Sequence, residues 1–424
     1  MSDLPGGPWL QRVGRELVLD GCSLDALARE HGTPLYVYSQ RAMQAAAGAY
    51  QQAFGDHPHL LCYAMKANSS LAVLQTFARM GCGFDIVSGG ELLRVLAAGG
   101  DPRRVVFSGV GKTRAEMALA LRHGVLCFNV ESQDELQTLS DVARQSGSPA
   151  RVSLRVNPDV DAGTHPYIST GLRSNKFGIA HDQALQAYRR AAELPGLQIV
   201  GIDCHIGSQI TQVEPYRDAL DRLLDLVELI EAEGIPIHHV DIGGGLGITY
   251  HDEKPPAAEE LIACVRQRMA QRGHGHRMLL AEPGRSLVGN AGVLLSEVVV
   301  LKRGSEKNFC IVDAAMNDLL RPAMYDAYMR IEPCVERPEL AAERWDVVGP
   351  ICESGDWLGR DRALAIRTGD RLAVLSAGAY GMAMASNYNS RGRAAELLVA
   401  DGKAVVIRRR EDPSELFALE QLPP

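Results

Sequence analysis

Much that would place this chain in a specialised class is missing. No uninterrupted apolar run approaches the roughly 20 residues needed to span a bilayer. The start, MSDLPGGPWLQRVGRELVLDG, lacks a basic stretch followed by an apolar one, so no secretory signal is expected. Positive charge is not in excess: 44 Lys and Arg stand against 52 Asp and Glu, a formal net charge of −8. That balance gives no footprint for nucleic acid or for an anionic membrane surface. The nine cysteines are odd in number and form no CxxC pair and no zinc-like Cys/His set. Reduced thiols in a cytoplasmic protein fit this best, most of them serving as small buried hydrophobes, and no metal site is expected. Low-complexity tracts and internal repeats are also absent.

What is present is an alternation of short apolar runs and helical patterns. The strand candidates are LLCYAM (60–65), FDIVS (84–88), RVVFSG (104–109), VLCFNV (125–130), RVSLRV (151–156), IVGIDCHI (199–206), HHVDIGG (238–244) and RMLLAE (277–282). Little polar alternation interrupts them, as expected of strands buried on both faces. Between them, segments such as SLAVLQTFARM (70–80), ELLRVLAAGG (91–100), RAEMALALRHG (114–124) and YRDALDRLLDLVELIEAEG (216–234) repeat apolar residues every three or four positions, several ending in Gly. Eight strands, each followed by a helix, predict a (β/α)8 barrel, an α/β fold; a doubly wound sheet is the competing reading. After Arg285 the texture becomes strand-like runs between Gly, Pro and charged turns. The expected architecture is a barrel over 36–285, with a mostly β domain made from 1–35 and 286–424.

Reactive groups of such a barrel collect at the carboxyl ends of its strands. Lys66 follows the first strand, His205 ends the sixth, Gly243, Gly244 and Gly245 follow the seventh, and Glu282, Pro283, Gly284 and Arg285 follow the eighth. Singly, each has an ordinary explanation: a lone lysine is usually a surface charge, a triple glycine a tight turn, a lone histidine structural. Together they describe a site for a phosphorylated, ring-shaped cofactor. Glycine N–H groups before a helix start suit a phosphate. A lysine at an apolar strand end can lose its proton and form an imine. An imidazole can lie against an aromatic ring, and a buried carboxylate can pair with a ring nitrogen.

YAMKAN, HIGSQ, the GGG turn and EPGR, in this order, resemble the alanine-racemase-like pyridoxal-phosphate (PLP) fold, and within it the diaminopimelate decarboxylases. The resemblance extends over HPYISTGLRSNKFG (165–178), RPAMYDAYM (321–329), GPICESGDWLGRDR (349–362), GAYGMAMASNYN (378–389) and RAAELLV (393–399), with CESGD the most discriminating. It implies that Lys66 carries PLP as an imine and that His205 stacks on its ring. Ser208, Gly245, Gly284 and Tyr380 would bind the phosphate, and Glu282 would face the pyridine nitrogen. A carboxylate there keeps that nitrogen protonated, which favours decarboxylation over racemisation. Arg285, Arg321, Tyr325, Glu353 and Tyr380 would hold the substrate: a distal carboxylate suits an arginine and a distal ammonium suits Glu353. Cys352 resembles the family's proton donor, reaching the site from the partner subunit of a homodimer; taken alone it would read as a buried apolar thiol. HPYISTG resembles a loop near the active site, with no role assigned to its residues. The implied reaction is decarboxylation of meso-2,6-diaminopimelate to L-lysine and CO2. The rivals are a relative acting on ornithine, arginine or carboxynorspermidine, and a non-catalytic PLP carrier, which would lack the β domain.

Overall fold

The computed structural model describes residues 4–160 and 175–424. The chain divides into two compact units. The first comprises the described residues of Gln44–Ile248 and Lys254–Ser286. Its strands are β1 (His59–Ala64), β2 (Gly83–Ile86), β3 (Val105–Phe107), β4 (Cys127–Val130), β5 (Ala150–Asn157), β6 (Leu197–Asp203), β7 (His239–Asp241) and β8 (Met278–Ala281). Each pairs in parallel with the next, and both β8–β1 and β4–β5 pairings are made, so the sheet closes on itself. The expected (β/α)8 barrel is therefore the fold, and the doubly wound alternative is excluded.

Residues at alternate positions fill the barrel. Leu60, Cys62, Val106, Cys127, Val200 and Leu280 form one buried cluster, so the apolar runs read in the sequence include this inward face. Cys62 and Cys127 are part of that filling, and burial pushes both thiols well above the usual range. All nine cysteines are free, and Cys352 is exposed rather than buried.

Local signals set the helices. Arg114–His123 begins with a capping box in which Thr113 accepts from the Glu116 N–H, and ends on left-handed Gly124. Gln133–Ser146 has a Ser132 cap at its start and left-handed Gly147 at its end. These caps halt the helices where the chain must return to the next strand. Among the described residues, no helix is long and apolar enough to cross a membrane.

The second unit comprises the described residues of Met1–Met43, Thr249–Glu253 and Leu287–Pro424. It is mostly β. Its main sheet runs Trp357–Leu364, Glu343–Val348, Asn308–Val312, Gly292–Arg303, Leu35–Ser39, Ala395–Ala400, Lys403–Arg408, with Arg371–Val374 also on Gly292–Arg303. The strand Leu35–Ser39, which straddles the expected start of the barrel, pairs within this sheet. Leu10–Val13, Glu16–Leu19 and Cys22–Ser23 form a small separate sheet, bridged at Glu16 to Val335. Leu17, Leu19, Val293, Leu295, Leu375 and Leu397 belong to one core, which joins both ends of the chain.

Candidate active site

The carboxyl end of the barrel holds a cavity of about 410 Å³ lined by Lys66, Asp85, Arg155, His205 and Glu282 among others. Each comes from the end of a different strand, where side chains stop filling the barrel and begin to line its mouth. Lys66 stands on a single helical turn, Met65–Ala67, immediately after β1. Its Nζ donates to Asp85 Oδ2 at 2.8 Å. The apolar setting expected for Lys66 is therefore corrected: Asp85 is almost wholly buried on β2, and an unpaired charge there would be costly.

His205 lies two residues beyond the end of β6 and is half-buried. Gly244 N–H donates to its Nδ1 at 3.1 Å. Burial, with Arg155 and Lys66 nearby, holds its pKa well below the usual imidazole range. The ring is thus neutral, and with Nδ1 accepting, the proton sits on Nε2.

The triple glycine does something other than expected. No helix starts after it; the next one is Ala258–Gln271. Two of its N–H groups are already engaged, Gly243 with Asp241 Oδ1 at 2.8 Å and Gly244 with His205. A Cβ on Gly244 would stand 2.1 Å from the Glu282 carbonyl oxygen, and one on Gly243 would stand 2.4 Å from that of Cys204. The turn therefore knits the ends of β6, β7 and β8 together. Pro283 O accepts from Ala64 N–H at 3.1 Å, tying β8 to β1, and Gly284 packs tightly on Ala64 and Ala67. Arg285, buried at the start of a four-residue helix, donates to Ser208 Oγ at 2.9 Å.

Glu282 is buried beside two carboxylates that the strand-end reading passed over, Asp203 and Asp241. Oxygens of all three lie within 4.8 Å of one another. Burial raises all three pKa values, and for Asp203 and Glu282 repulsion from Asp241 raises them further. Asp241 is pushed up to about 7. Arg155, on β5, offsets the charge of Asp203 and Asp241, and Lys66 that of Glu282; Arg155 also contacts Glu131 at 3.3 Å. Asp85, Arg155, Asp203 and Asp241 carried a signal after all: each is a charge set in a largely apolar strand.

The remaining candidates lie in the second unit. Arg321 starts the short helix Arg321–Tyr325, is buried, and stacks on Tyr250 with its guanidinium 4.5 Å from the ring centre. Tyr325 is half-buried at the end of that helix. Tyr380 is also half-buried and has a left-handed backbone, φ 56°. Cys352 and Glu353 are exposed, and Tyr388 donates to Glu353 at 2.9 Å. The HPYISTG segment lies outside the described residues, although Asn175–Gly178 of the same motif are described.

The barrel cavity fits PLP. Lys66 offers an amine on a side chain that is 39% exposed, and a neutral imidazole forms part of the wall. Among the described residues the carboxylates outnumber nearby cations, and Asp85 Oδ1, Asp203 Oδ1 and Asp241 Oδ2 are buried without hydrogen-bond partners. A protonated ring nitrogen is the kind of charge this surplus lacks.

Comparison with known proteins agrees. Residues 40–289 match the family described as pyridoxal-dependent decarboxylase, pyridoxal binding domain. A diaminopimelate decarboxylase of Pseudomonas aeruginosa is 58% identical over 410 residues, covering 96% of this chain and 98% of the relative. The crystal structure of diaminopimelate decarboxylase from M. jannaschii in co-complex with L-lysine is 37% identical, with a TM-score of 0.95 over 99% of both chains. That from Helicobacter pylori, also complexed with L-lysine, is 40% identical with a TM-score of 0.89, covering 93% of this chain and 98% of its own. A match of this length and identity leaves one assignment: the chain belongs to the diaminopimelate decarboxylases, within the pyridoxal-dependent decarboxylase family.

Proposed function

We infer that the protein decarboxylates meso-2,6-diaminopimelate to L-lysine and CO2, the last step of lysine biosynthesis, with PLP as its cofactor. The observation that carries this is the barrel mouth, where an amine, a neutral imidazole and a buried carboxylate set surround one cavity in a chain 58% identical to a diaminopimelate decarboxylase.

In this reading Lys66 holds the cofactor and His205 lies on its ring face. Ser208, Gly245, Gly284 and Tyr380 bind its phosphate, while Gly243, Gly244, Pro283 and Arg285 shape the turn around it. Bound there, PLP supplies an electron sink for the pair left when the bond to the carboxylate breaks. Glu282 faces the ring nitrogen and keeps its proton in place. Arg285, Arg321, Tyr325 and Tyr380 hold the carboxylates of the substrate, and Glu353 takes the distal ammonium. Cys352 delivers a proton from Sγ to the α-carbon.

The protein acts as a cytoplasmic homodimer in which Cys352 and Glu353 serve the partner's site. Support comes from the free thiols and from the exposure of these two residues on their own chain. The test is incubation with PLP and meso-diaminopimelate, following CO2 and L-lysine. Lys66→Ala is expected to abolish both the product and the lysine-bound cofactor absorbance. Faster turnover of ornithine, arginine or carboxynorspermidine would overturn the substrate assignment.

A further inference from the structure

Two consecutive residues at the end of the GAYGMAMASNYN motif meet two consecutive residues of the GPICESGD motif. Tyr388 Oη donates to Glu353 Oε2 at 2.9 Å. The Cys352 N–H donates to Asn389 Oδ1 at 3.4 Å. All four residues lie in the second unit.

Both sides of this contact are built. Beneath the Cys352 loop, buried Asp356 accepts the N–H groups of Ile351 at 2.8 Å and of Met316 at 2.7 Å. Glu353 N–H donates to Ile351 O at 2.8 Å, which closes the turn. Asp356 thus fixes the loop from inside while Cys352 and Glu353 stay exposed. On the other side, Asn389 and Ser390 both have left-handed backbone, φ 55° and 53°. Non-glycine residues hold that conformation only when their surroundings impose it. Asn387 supplies part of that constraint, donating to Arg391 O at 3.0 Å and to Glu411 at 2.8 Å.

An exposed glutamate otherwise samples several rotamers, and its carboxylate is aimed nowhere in particular. A phenol donor on a constrained loop selects one of them. We propose that Tyr388 and Asn389 are positioning residues, Tyr388 aiming the Glu353 carboxylate at the substrate's distal ammonium and Asn389 pinning the backbone that carries Cys352. This rests on the roles given above to Glu353 and Cys352. Because the distal ammonium is remote from the reacting carbon, losing the aim of Glu353 weakens binding and leaves the chemistry unchanged. Loosening Cys352 acts on the proton transfer instead.

The test uses the holoenzyme with meso-diaminopimelate. Tyr388→Phe keeps the ring and removes the donor. It is expected to raise KM about 3- to 10-fold, the worth of one partly exposed hydrogen bond to a charge, with kcat nearly unchanged. Glu353→Gln is expected to raise KM further, and Tyr388→Phe added to it should change nothing more. Asn389→Gly keeps the left-handed backbone and removes the acceptor, lowering kcat a few-fold, and Asn389→Asp restores it. If Glu353→Gln raises KM while Tyr388→Phe does not, the positioning role of Tyr388 is wrong and that of Glu353 stands. If Glu353→Gln leaves KM unchanged, the role of Glu353 falls and that of Tyr388 with it. If Tyr388→Phe lowers kcat and Tm together, its role is structural and the proposal fails. Equal kcat in Asn389→Gly and the parent overturns the Asn389 half.

Discussion

Asp241→Asn replaces one carboxylate oxygen with an amide nitrogen in the centre of the carboxylate cluster, and its effect on stability has a calculable sign. The Asp241 pKa rises from 3.8 to about 7 on folding, because burial, with Asp85 nearby, penalises the charged form more than the Gly243 N–H, the hydrogen bond with Glu282 and Arg155 favour it. A carboxyl whose pKa rises on folding binds more protons folded than unfolded between those two values. Stability therefore falls as pH climbs through that window and levels off above it. Each tenfold change in proton affinity is worth about 1.4 kcal/mol, so the penalty grows by roughly 2 to 3 kcal/mol between pH 5 and pH 8. Asparagine does not ionise, keeps an oxygen for the Gly243 N–H, and brings an amide that can donate to the neighbouring carboxylates. The cofactor-free variant should therefore be more stable than its parent, with an advantage that widens by about 2 to 3 kcal/mol between pH 5 and pH 8. In thermal melts of a unit this size that is several degrees. An advantage that stays constant with pH, or a variant less stable at pH 8, would refute the claim that Asp241 carries a strained charge.

Three other outcomes are expected. Glu282→Arg should bind PLP yet lose most decarboxylation, because a cation opposite the ring nitrogen weakens the electron sink; a near-normal rate sinks that role. Cys352→Ala should lower kcat while leaving the KM for meso-diaminopimelate nearly unchanged, and a change confined to KM would instead make Cys352 a binding residue. Lys112→Met removes a buried ammonium that donates to Gly109 O, Asn129 O and Glu135, each at 2.7 Å. It should cost about 3–5 kcal/mol in urea unfolding, most of it recovered by adding Glu135→Leu, and a loss below about 1 kcal/mol would contradict it.

The barrel was legible because doubly buried strands are largely apolar, and because several of the helices that return the chain carry caps. β1 to β8 accordingly fall on the eight runs read from the sequence, and Gly124 and Gly147 end helices as glycines do. Lys66, His205 and Glu282 were legible only as a set, because a barrel gathers the carboxyl ends of its strands at one mouth, while singly each has an ordinary explanation. The surroundings of Lys66 were harder. Asp85 sits 19 residues away in the chain, and only β1–β2 pairing brings its carboxylate to 2.8 Å.

By itself, then, the sequence determined the alternation of elements and which residue types stand at the barrel mouth, since periodicity and capping act over a few neighbouring residues. Tertiary structure alone decided the electrical state of the site. His205 is neutral because it is buried with Arg155 and Lys66 nearby, both brought from other strands. Asp203, Asp241 and Glu282 share too little positive charge because three strand ends converge there. The glycine turn binds the strand ends together instead of opening a helix, for Gly244 must pass within contact of the Glu282 backbone. These are distances between residues far apart in the chain, and closure of the barrel sets them.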